Sequence, residues 1–418
     1  VLTLLFTLYL NDLHEYLGGG LMVDGINIRL LLYADDIVLL ADDIVVMQEM
    51  VNNLERYCEL WNMEVNMRKS EMMVFRKSGR LSVHEKIKYK QQYVNIVNEY
   101  CYLGVLLTPK MSFKKHLEKR NNSAKNSINA TWSTFLNKPN ISLANKWKLF
   151  QSVCRSIQTY AAQVWGCWMF DDVDKLQRYF IKRILRLPEF TPNYALILET
   201  NAESSYIYTL NLHMNFIFKC LFQYTPNRLP YKLSVLTLRY NIFWANQINE
   251  LGREFDIRFD EISSQEWLCR SSVLLQQIKS KDIMQMKENA LKSSTRFYKH
   301  LDHNKGLDYI SKTSTQQKIT TIFKTRCDIL PLKANNFNIL ESKTCSLCNT
   351  GEDESLLHFM AKCPVLREFR IRHLDKPFFN ENELINILNG EIPNGWNRLY
   401  NFVTNALNYR KHIIEEFI

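Results

Sequence analysis

The chain of 418 residues is 46% hydrophobic and 23% charged, with 12 Gly and 10 Pro; this suits globular folding in two or three domains and excludes long disordered linkers. Its formal net charge of +10 suits an anionic partner such as nucleic acid. No secretory signal precedes the ten Cys, which argues for a reducing, intracellular compartment and makes any Cys cluster a metal-site candidate rather than a disulfide framework.

The opening VLTLLFTLYL is apolar but stops at Asn11-Asp12, too short for a membrane span. Apolar residues at Leu5, Leu8, Tyr9, Leu13 and Leu17 predict a helix over 4–17, and Gly18–Gly20 a flexible loop. LLLYADDIVLL then reads as two buried strands, Leu30–Tyr33 and Ile37–Leu40, meeting in a tight hairpin at Ala34-Asp35-Asp36. Asp43 is placed to cap a following helix whose buried face carries Met47, Met50, Val51, Leu54, Tyr57, Cys58 and Trp61. Met72–Phe75 predicts a short strand. Tyr100–Leu107 predicts another, bent at Gly104.

After Pro109 the pattern turns helical. Between Lys110 and Arg155 ten basic residues stand against one acid, Glu118, so +9 of the chain's charge gathers there. Lys114, Lys115, Lys119 and Arg120 are its first dense cluster. Trp132 and Trp147 are expected to pack its inner face, and Tyr160, Val164, Trp165, Leu176, Phe180 and Leu185 to be core. Arg178, Lys182, Arg183 and Arg186 are close enough in sequence to share a basic helix edge. Helices continue to about residue 300, with breaks expected at Pro192, Pro226 and Pro230.

CSLCNTGEDESLLHFMAKC supplies Cys345, Cys348, His358 and Cys363 in the spacing C-x2-C-x9-H-x4-C. A C-x2-C turn presents two thiolates at one point, and four N/S ligands suit a closed, tetrahedral, structural Zn²⁺ site. Such a site would stabilise a segment too short to have its own core. Arg367, Arg370 and Arg372 follow it as candidate nucleic-acid contacts. His84, His213, His300 and His373 show no ligand spacing, and the tail is expected to be helical to Ile418, broken at Pro377 and Pro393.

The pair Asp35-Asp36 admits two readings. One is a polar turn between apolar strands. The other is a carboxylate site: Asp oxygens suit Mg²⁺ at close octahedral range, and strand alternation sends the two side chains to different sides. The surrounding residues resemble the catalytic hairpin of reverse transcriptases of non-LTR (LINE-type) retrotransposons. LLFTLYLNDLHEYL resembles the helix after their template-contacting motif. ERYCELWNMEVNMRKSEMMVF resembles their next palm segment, with Asn66 and Lys69 at familiar positions. CYLGVLL resembles their primer-gripping hairpin.

The resemblance covers about the first 107 residues in four ordered segments, and the Cys/His order resembles a C-terminal zinc-knuckle-like segment of the same group. It implies an α+β fold: a partial reverse-transcriptase palm (antiparallel sheet with helices) over 1–108, a helical thumb-like region over 109–240, a helical connector over 241–340, a zinc-knuckle-like CCHC segment over 341–375 and a helical tail over 376–418. It implies RNA-directed DNA polymerase activity with Mg²⁺ (Mn²⁺ in its place), held by Asp35 and Asp36, and structural Zn²⁺. Tyr33 and Ala34 would line the floor under the primer end, and Tyr102, Leu103 and Gly104 would position the primer strand. Lys69 would approach the incoming triphosphate, or is simply a surface lysine at a strand edge. Template RNA, a DNA primer or target, and deoxynucleoside triphosphates are the implied partners, with action in the nucleus and no membrane.

One departure matters. These polymerases carry a third carboxylate on an earlier palm strand, which should lie upstream of Val1. The chain is therefore expected to be a fragment of a transposable-element protein, incompetent alone. The rival readings are a non-catalytic nucleic-acid-binding remnant or host-adopted protein, and a scaffold that binds no nucleic acid. No sequence feature fixes an oligomeric state.

Overall fold

The computed structural model describes residues 2–79, 86–259, 263–293, 295–312, 315–335 and 342–417. The chain divides into two compact units, Val1–His116 and Leu117–Ile418.

The first unit is mixed α and β. It opens with two helices, α1 (Leu2–Tyr9) and α2 (Leu13–Tyr16), where the periodicity predicts one helix over 4–17. The break falls at the polar pair Asn11-Asp12. Asp12 takes the N-cap position of α2, but its carboxylate accepts from Tyr57 Oη at 2.6 Å rather than from its own helix. Leu10, Leu13 and Leu17 are buried against Met50, Leu54, Tyr57 and Cys58 of α3 (Ile44–Leu60). Asp43 caps α3 as its position predicts, its side chain accepting from Val46 N at 2.9 Å. The flank of α3 that carries Val51 packs on a second small core with Met72, Ile87 and Tyr89.

Around α3 lie five two-stranded ladders. The antiparallel ones are β1 (Leu21–Val23) with β2 (Ile26–Ile28), β3 (Leu30–Tyr33) with β4 (Asp36–Leu39), β6 (Lys88–Tyr89) with β7 (Gln92–Tyr93), and β9 (Tyr100–Tyr102) with β10 (Val105–Leu107). β5 (Glu71–Met72) pairs in parallel with β8 (Asn95–Ile96). Three expectations change here. Of Met72–Phe75 only Met72 lies in a strand. Tyr100–Leu107 is a hairpin and not one strand: Leu103 and Gly104 both take positive φ, 46° and 80°, the twist that two-residue hairpin turns favour. Asp24 (φ 47°) and Gly25 (φ 77°) make a similar turn, a hairpin that the sequence reading missed although Asp-Gly signals one.

The second unit is helical among its described residues. α4 (Lys114–Thr131) leads into it from the first unit and ends in a π-helical turn at Trp132–Leu136. α5 (Leu143–Leu149), capped by Ser142, runs through a π-helical stretch into α6 (Ser156–Gln158) and α7 (Ala162–Trp165). α8 (Asp171–Ile184) has Asp171, Asp172 and Asp174 in its first turn and Lys182 and Arg183 in its last, the arrangement the helix dipole favours. It lies alongside α4 in parallel: Asn121 Nδ2 donates to Asp172 O at 3.1 Å, and Arg183 farther on donates to Asn129.

α9 (Asn193–Thr200), α10 (Ser205–Phe218), α11 (Leu229–Arg239), α12 (Trp244–Glu254) and α13 (Ser264–Leu291) follow. Pro230 does not break the chain as expected. It sits in the first turn of α11, where its missing N–H costs nothing. A capping box between Ser263 and Glu266 starts α13. α14 (His303–Lys312), α15 (Gln316–Arg326), α16 (Arg367–Leu374), α17 (Glu381–Leu388) and α18 (Gly395–Phe417) complete the unit.

Its main core joins Phe150, Phe180, Leu196, Phe323, Phe359 and Phe402, with Trp132 and Trp147 packed against it as expected. Trp165, Leu176, Phe180 and Leu185 are buried, but Tyr160 and Val164 are 43% and 42% exposed. Tyr160 precedes and Val164 lies on the outer side of the short helix α7, which buries Ala162 and Trp165.

One ion pair lies wholly inside. The Arg326 guanidinium donates to both Glu199 oxygens, at 2.8 and 3.1 Å, and both side chains have no exposure. Tyr309 Oη also donates to Glu199, at 2.9 Å, and Arg326 further donates to Asp302 O and Leu388 O. Four of the five guanidinium N–H groups and both Glu199 oxygens are engaged, so burial of the two charges is offset.

Candidate active site and metal centre

The first site is the tip of the β3–β4 hairpin. Tyr33 pairs with Asp36, so the turn holds two residues, Ala34 and Asp35, with Ala34 at φ 54°. Asp36 therefore belongs to β4, a correction to the three-residue tip Ala34-Asp35-Asp36. The apolar run is also less buried than expected. Leu30, Ile37 and Leu39 pack on the core with α3, while Leu32 and Tyr33 are exposed. A lone two-stranded ladder has one face to bury, and the other stays open.

Both carboxylates are exposed, and among the described residues neither has a hydrogen-bond or ion-pair partner. Asp36 nonetheless lies close to the β9–β10 hairpin. Burial pushes the Tyr100 phenol up, and the charges of Asp36 and then Glu71 push it further. Tyr102 is raised by burial and then by Asp36. The structure thus gathers Asp36, Tyr100, Tyr102 and Glu71. Glu71 escaped the sequence reading; its only signal is its place two residues after Lys69.

Lys69 itself is exposed in a turn organised by Asn66, whose carbonyl accepts from Lys69 N at 3.0 Å and from Ser70 Oγ at 3.0 Å. Leu103 and Gly104 form the β9–β10 turn. Lys115 is paired with Glu99, while Lys114 and Lys119 are exposed. Arg120 is turned inward within the second unit: its Nε donates to Ile157 O at 3.1 Å and its guanidinium lies 4.7 Å from the Tyr160 ring.

The second site lies in the second unit. Cys345, Cys348, His358 and Cys363 bring one donor atom each to within 4.8 Å of one another. A bridge between Thr344 and Asp353, with Cys345 N donating to Glu352 O at 2.9 Å, folds the C-x2-C segment into a hairpin-like turn. His358 opens a π-helical turn, His358–Lys362, that delivers Cys363. His358 Nε2 lies 3.3 Å from Cys348 Sγ, and its Nδ1 lies 2.8 Å from a Glu352 carboxylate oxygen. Leu347 N donates to Cys345 Sγ at 3.4 Å. Hydrogen bonding from Cys363 pulls the Cys345 thiol down to about 5 and raises that of Cys363, as expected of thiols sharing a proton.

Three sulfurs and one imidazole nitrogen converging, with a carboxylate behind the imidazole, form a donor set that could hold a metal ion. Glu352 was missed from sequence, although an acid close before a metal-spaced His is its recognisable signal.

The segment is not self-standing as expected. Cys363, Leu356, Leu357, Phe359 and Met360 are buried in the main core of the unit. Glu354, fully buried, accepts from Lys333 N at 2.9 Å and pairs in bidentate fashion with Arg410 of α18 at 2.7 Å. Arg370 is corrected too. It is fully buried, donating to Pro377 O and Cys363 O, and cannot face nucleic acid, whereas Arg367 and Arg372 are exposed.

Residues 3–107, which contain the carboxylate hairpin and both flanking segments, match the reverse transcriptase (RNA-dependent DNA polymerase) family. The likeness to non-LTR retrotransposons read from the sequence agrees with a relative: over 165 residues the chain is 24% identical to the RNA-directed DNA polymerase from mobile element jockey of Drosophila funebris. That match covers 37% of this chain and 18% of the relative. No described helix is long and apolar enough to cross a membrane.

Proposed function

We propose that the chain is part of an RNA-directed DNA polymerase of a non-LTR retrotransposon, and that its first unit supplies the carboxylate hairpin and primer grip of the palm. The observation that carries this reading is the approach of Asp36 to Tyr100 and Tyr102 within the reverse-transcriptase segment. Asp35 and Asp36 offer hard, exposed oxygens, a donor type that fits Mg²⁺ or Mn²⁺. The chemistry gained with a bound divalent cation is activation of a 3′ hydroxyl and neutralisation of the departing pyrophosphate.

The chain's own residues do the rest. Tyr33 and Ala34 form the floor below the primer terminus. Tyr102, Leu103 and Gly104 hold the primer strand in register, because a displacement of about 1 Å can cost on the order of 100-fold in rate. Lys69 faces the triphosphate. The basic second unit, with the exposed Lys119 and the half-buried Arg178 and Lys182 of α8, holds the phosphates of the template–primer duplex without reading sequence. The Cys/His centre is read as structural zinc beside a nucleic-acid contact at Arg367 and Arg372. Template RNA, DNA primer and deoxynucleoside triphosphates are the partners, and the nucleus is the place of action. The sequence-based partition into palm, thumb-like region, connector, zinc segment and tail stands with this reading.

Among the described residues no third acidic ligand joins Asp35 and Asp36 within metal-binding distance. A two-carboxylate site binds Mg²⁺ weakly, so the chain alone is proposed not to polymerise. This same observation favours the second reading, a nucleic-acid-binding protein without catalysis. Primer extension on an RNA template with Mg²⁺, comparing the chain, its Asp35→Ala variant and a longer polypeptide supplying an upstream palm, separates them. Extension by the longer protein that persists undiminished after Asp35→Ala would refute the catalytic reading.

A further inference from the structure

Arg370 is fully buried in α16, yet among the described residues no carboxylate pairs with it. Its Nε donates to Pro377 O at 2.6 Å and its Nη2 to Cys363 O, while Nη1 is buried without an acceptor. The Phe378 ring lies 5.5 Å from the guanidinium. Buried cations are paired in folded proteins, because an isolated charge in an apolar interior is costly. The other internal arginine shows the rule: Arg326 has Glu199. Arg370 has only the Cys363 side to turn to.

The charge of the Cys/His centre supplies what is missing. Three thiolates and a neutral imidazole around a divalent ion leave one net negative charge. The thiolate side of the centre is buried at Cys363, where water cannot screen that charge. Glu352, on the imidazole side, adds an anion of its own, but its side chain is 52% exposed and is solvated. Arg367 and Arg372 of the same helix are exposed and so are screened by solvent. Among the described residues, Arg370 is the fully buried cation beside Cys363, with its Nη2 on the Cys363 carbonyl.

We propose that Arg370 is the built-in counter-ion of the metal–trithiolate centre. It is a positioning and charge-balancing residue and touches no substrate. The proposal rests on the zinc reading above, and one experiment tells the two apart. The full chain is titrated with Zn²⁺ against a chromophoric chelator, alongside Arg370→Met and Arg370→Lys, with circular dichroism as a check of folding. Co²⁺ uptake is followed by its thiolate charge-transfer bands.

Removal of the charge in Arg370→Met is expected to weaken zinc binding by about 10- to 100-fold, while Arg370→Lys stays within about threefold of the wild type, as a charge-balancing outer residue requires. Wild-type protein that takes up no zinc overturns both readings. Wild-type protein that binds zinc, with Arg370→Met binding as tightly, overturns the counter-ion alone. If Arg370→Met does not fold, Arg370→Lys decides: a folded lysine variant with the same large loss would assign the effect to the two hydrogen bonds, against the proposal.

Discussion

His358 Nδ1 lies 2.8 Å from a Glu352 carboxylate oxygen, and this approach leaves Nε2 facing Cys348 Sγ at 3.3 Å. A donor hydrogen on Nδ1 fixes the tautomer in which Nε2 is the free ligand, and the carboxylate makes that nitrogen more basic. Glu352→Gln keeps the shape but removes the charge. Zinc affinity, measured by chelator competition on the full chain, should fall by about 10-fold, with the Cys₃His stoichiometry unchanged. An unaltered affinity would show that the imidazole is oriented by its π-helical turn alone.

Asp328 carries a carboxyl that burial pushes up to about 6, and Asn335 Nδ2 only partly offsets this. Its folded value lies above its unfolded one. Between about pH 4 and 6 the folded state therefore binds more protons than the unfolded state, and stability falls as pH rises across that window. Asp328→Asn removes the ionisation. The residue sits at φ 53°, a conformation Asn tolerates well. The variant should gain about 2 kcal/mol at pH 7 by urea unfolding, with the gain vanishing below about pH 4. A gain that is the same at both ends of the range would contradict the burial argument.

His213 works in the opposite direction. Burial lowers its imidazole to about 4, and its Nδ1 sits 2.7 Å from Gln163 O. Between about pH 6.5 and 4 the unfolded chain binds the proton that the folded chain refuses, so stability drops as pH falls through that window. Thermal unfolding from pH 7 to 4.5 should show a shallower loss in His213→Gln than in the parent. Identical slopes would remove His213 from the account.

Breaking the interior pair is expected to be costly. Glu199→Ala leaves Arg326 as an unpaired buried charge and strands the Tyr309 hydroxyl, for a loss of about 3–5 kcal/mol. The double variant Glu199→Leu with Arg326→Met should recover part of that, since no unpaired charge is left inside, although the Tyr309 hydroxyl still lacks its acceptor. Denaturant midpoints of the parent, the single and the double variant give the two losses for comparison.

The basic edge of α8 predicts a salt effect. Burial lowers the Lys182 ammonium, and the neighbouring Arg178 charge lowers it further, which places the two cations together. Replacing Arg178, Lys182 and Arg186 by Gln should weaken binding to an RNA–DNA duplex. The slope of log affinity against log salt should shrink by roughly 0.9 for each phosphate no longer neutralised. Lys182 donates to Glu189 O and Arg186, just past α8, to Asn137; Arg183 is left out because it also stacks on the Trp132 ring at 4.1 Å, so its loss would disturb packing. Fluorescence anisotropy at several salt concentrations gives the slope, and an unchanged slope would clear this edge of any role.

Local signals were legible in the sequence and long-range ones were not. Asp43 announced its helix because a cap acts over three residues, and the Cys and His spacing announced a four-ligand cluster for the same reason. The carboxylate hairpin was placed to within a residue; the error fell on Asp36, because a turn's length depends on backbone twist that side-chain alternation does not encode. Arg370 read as a surface cation because nothing local says that Pro377 O and the Cys363 end of the preceding turn will enclose it. Glu199 and Arg326 are 127 residues apart, and no periodicity links them.

The Arg410–Glu354 pair ties the far end of the chain to the cysteine segment across 56 residues of sequence. Loss of Arg410 would strand a buried acid two positions from Glu352. A lesion so distant from the cysteines in sequence would then surface as faulty metal retention.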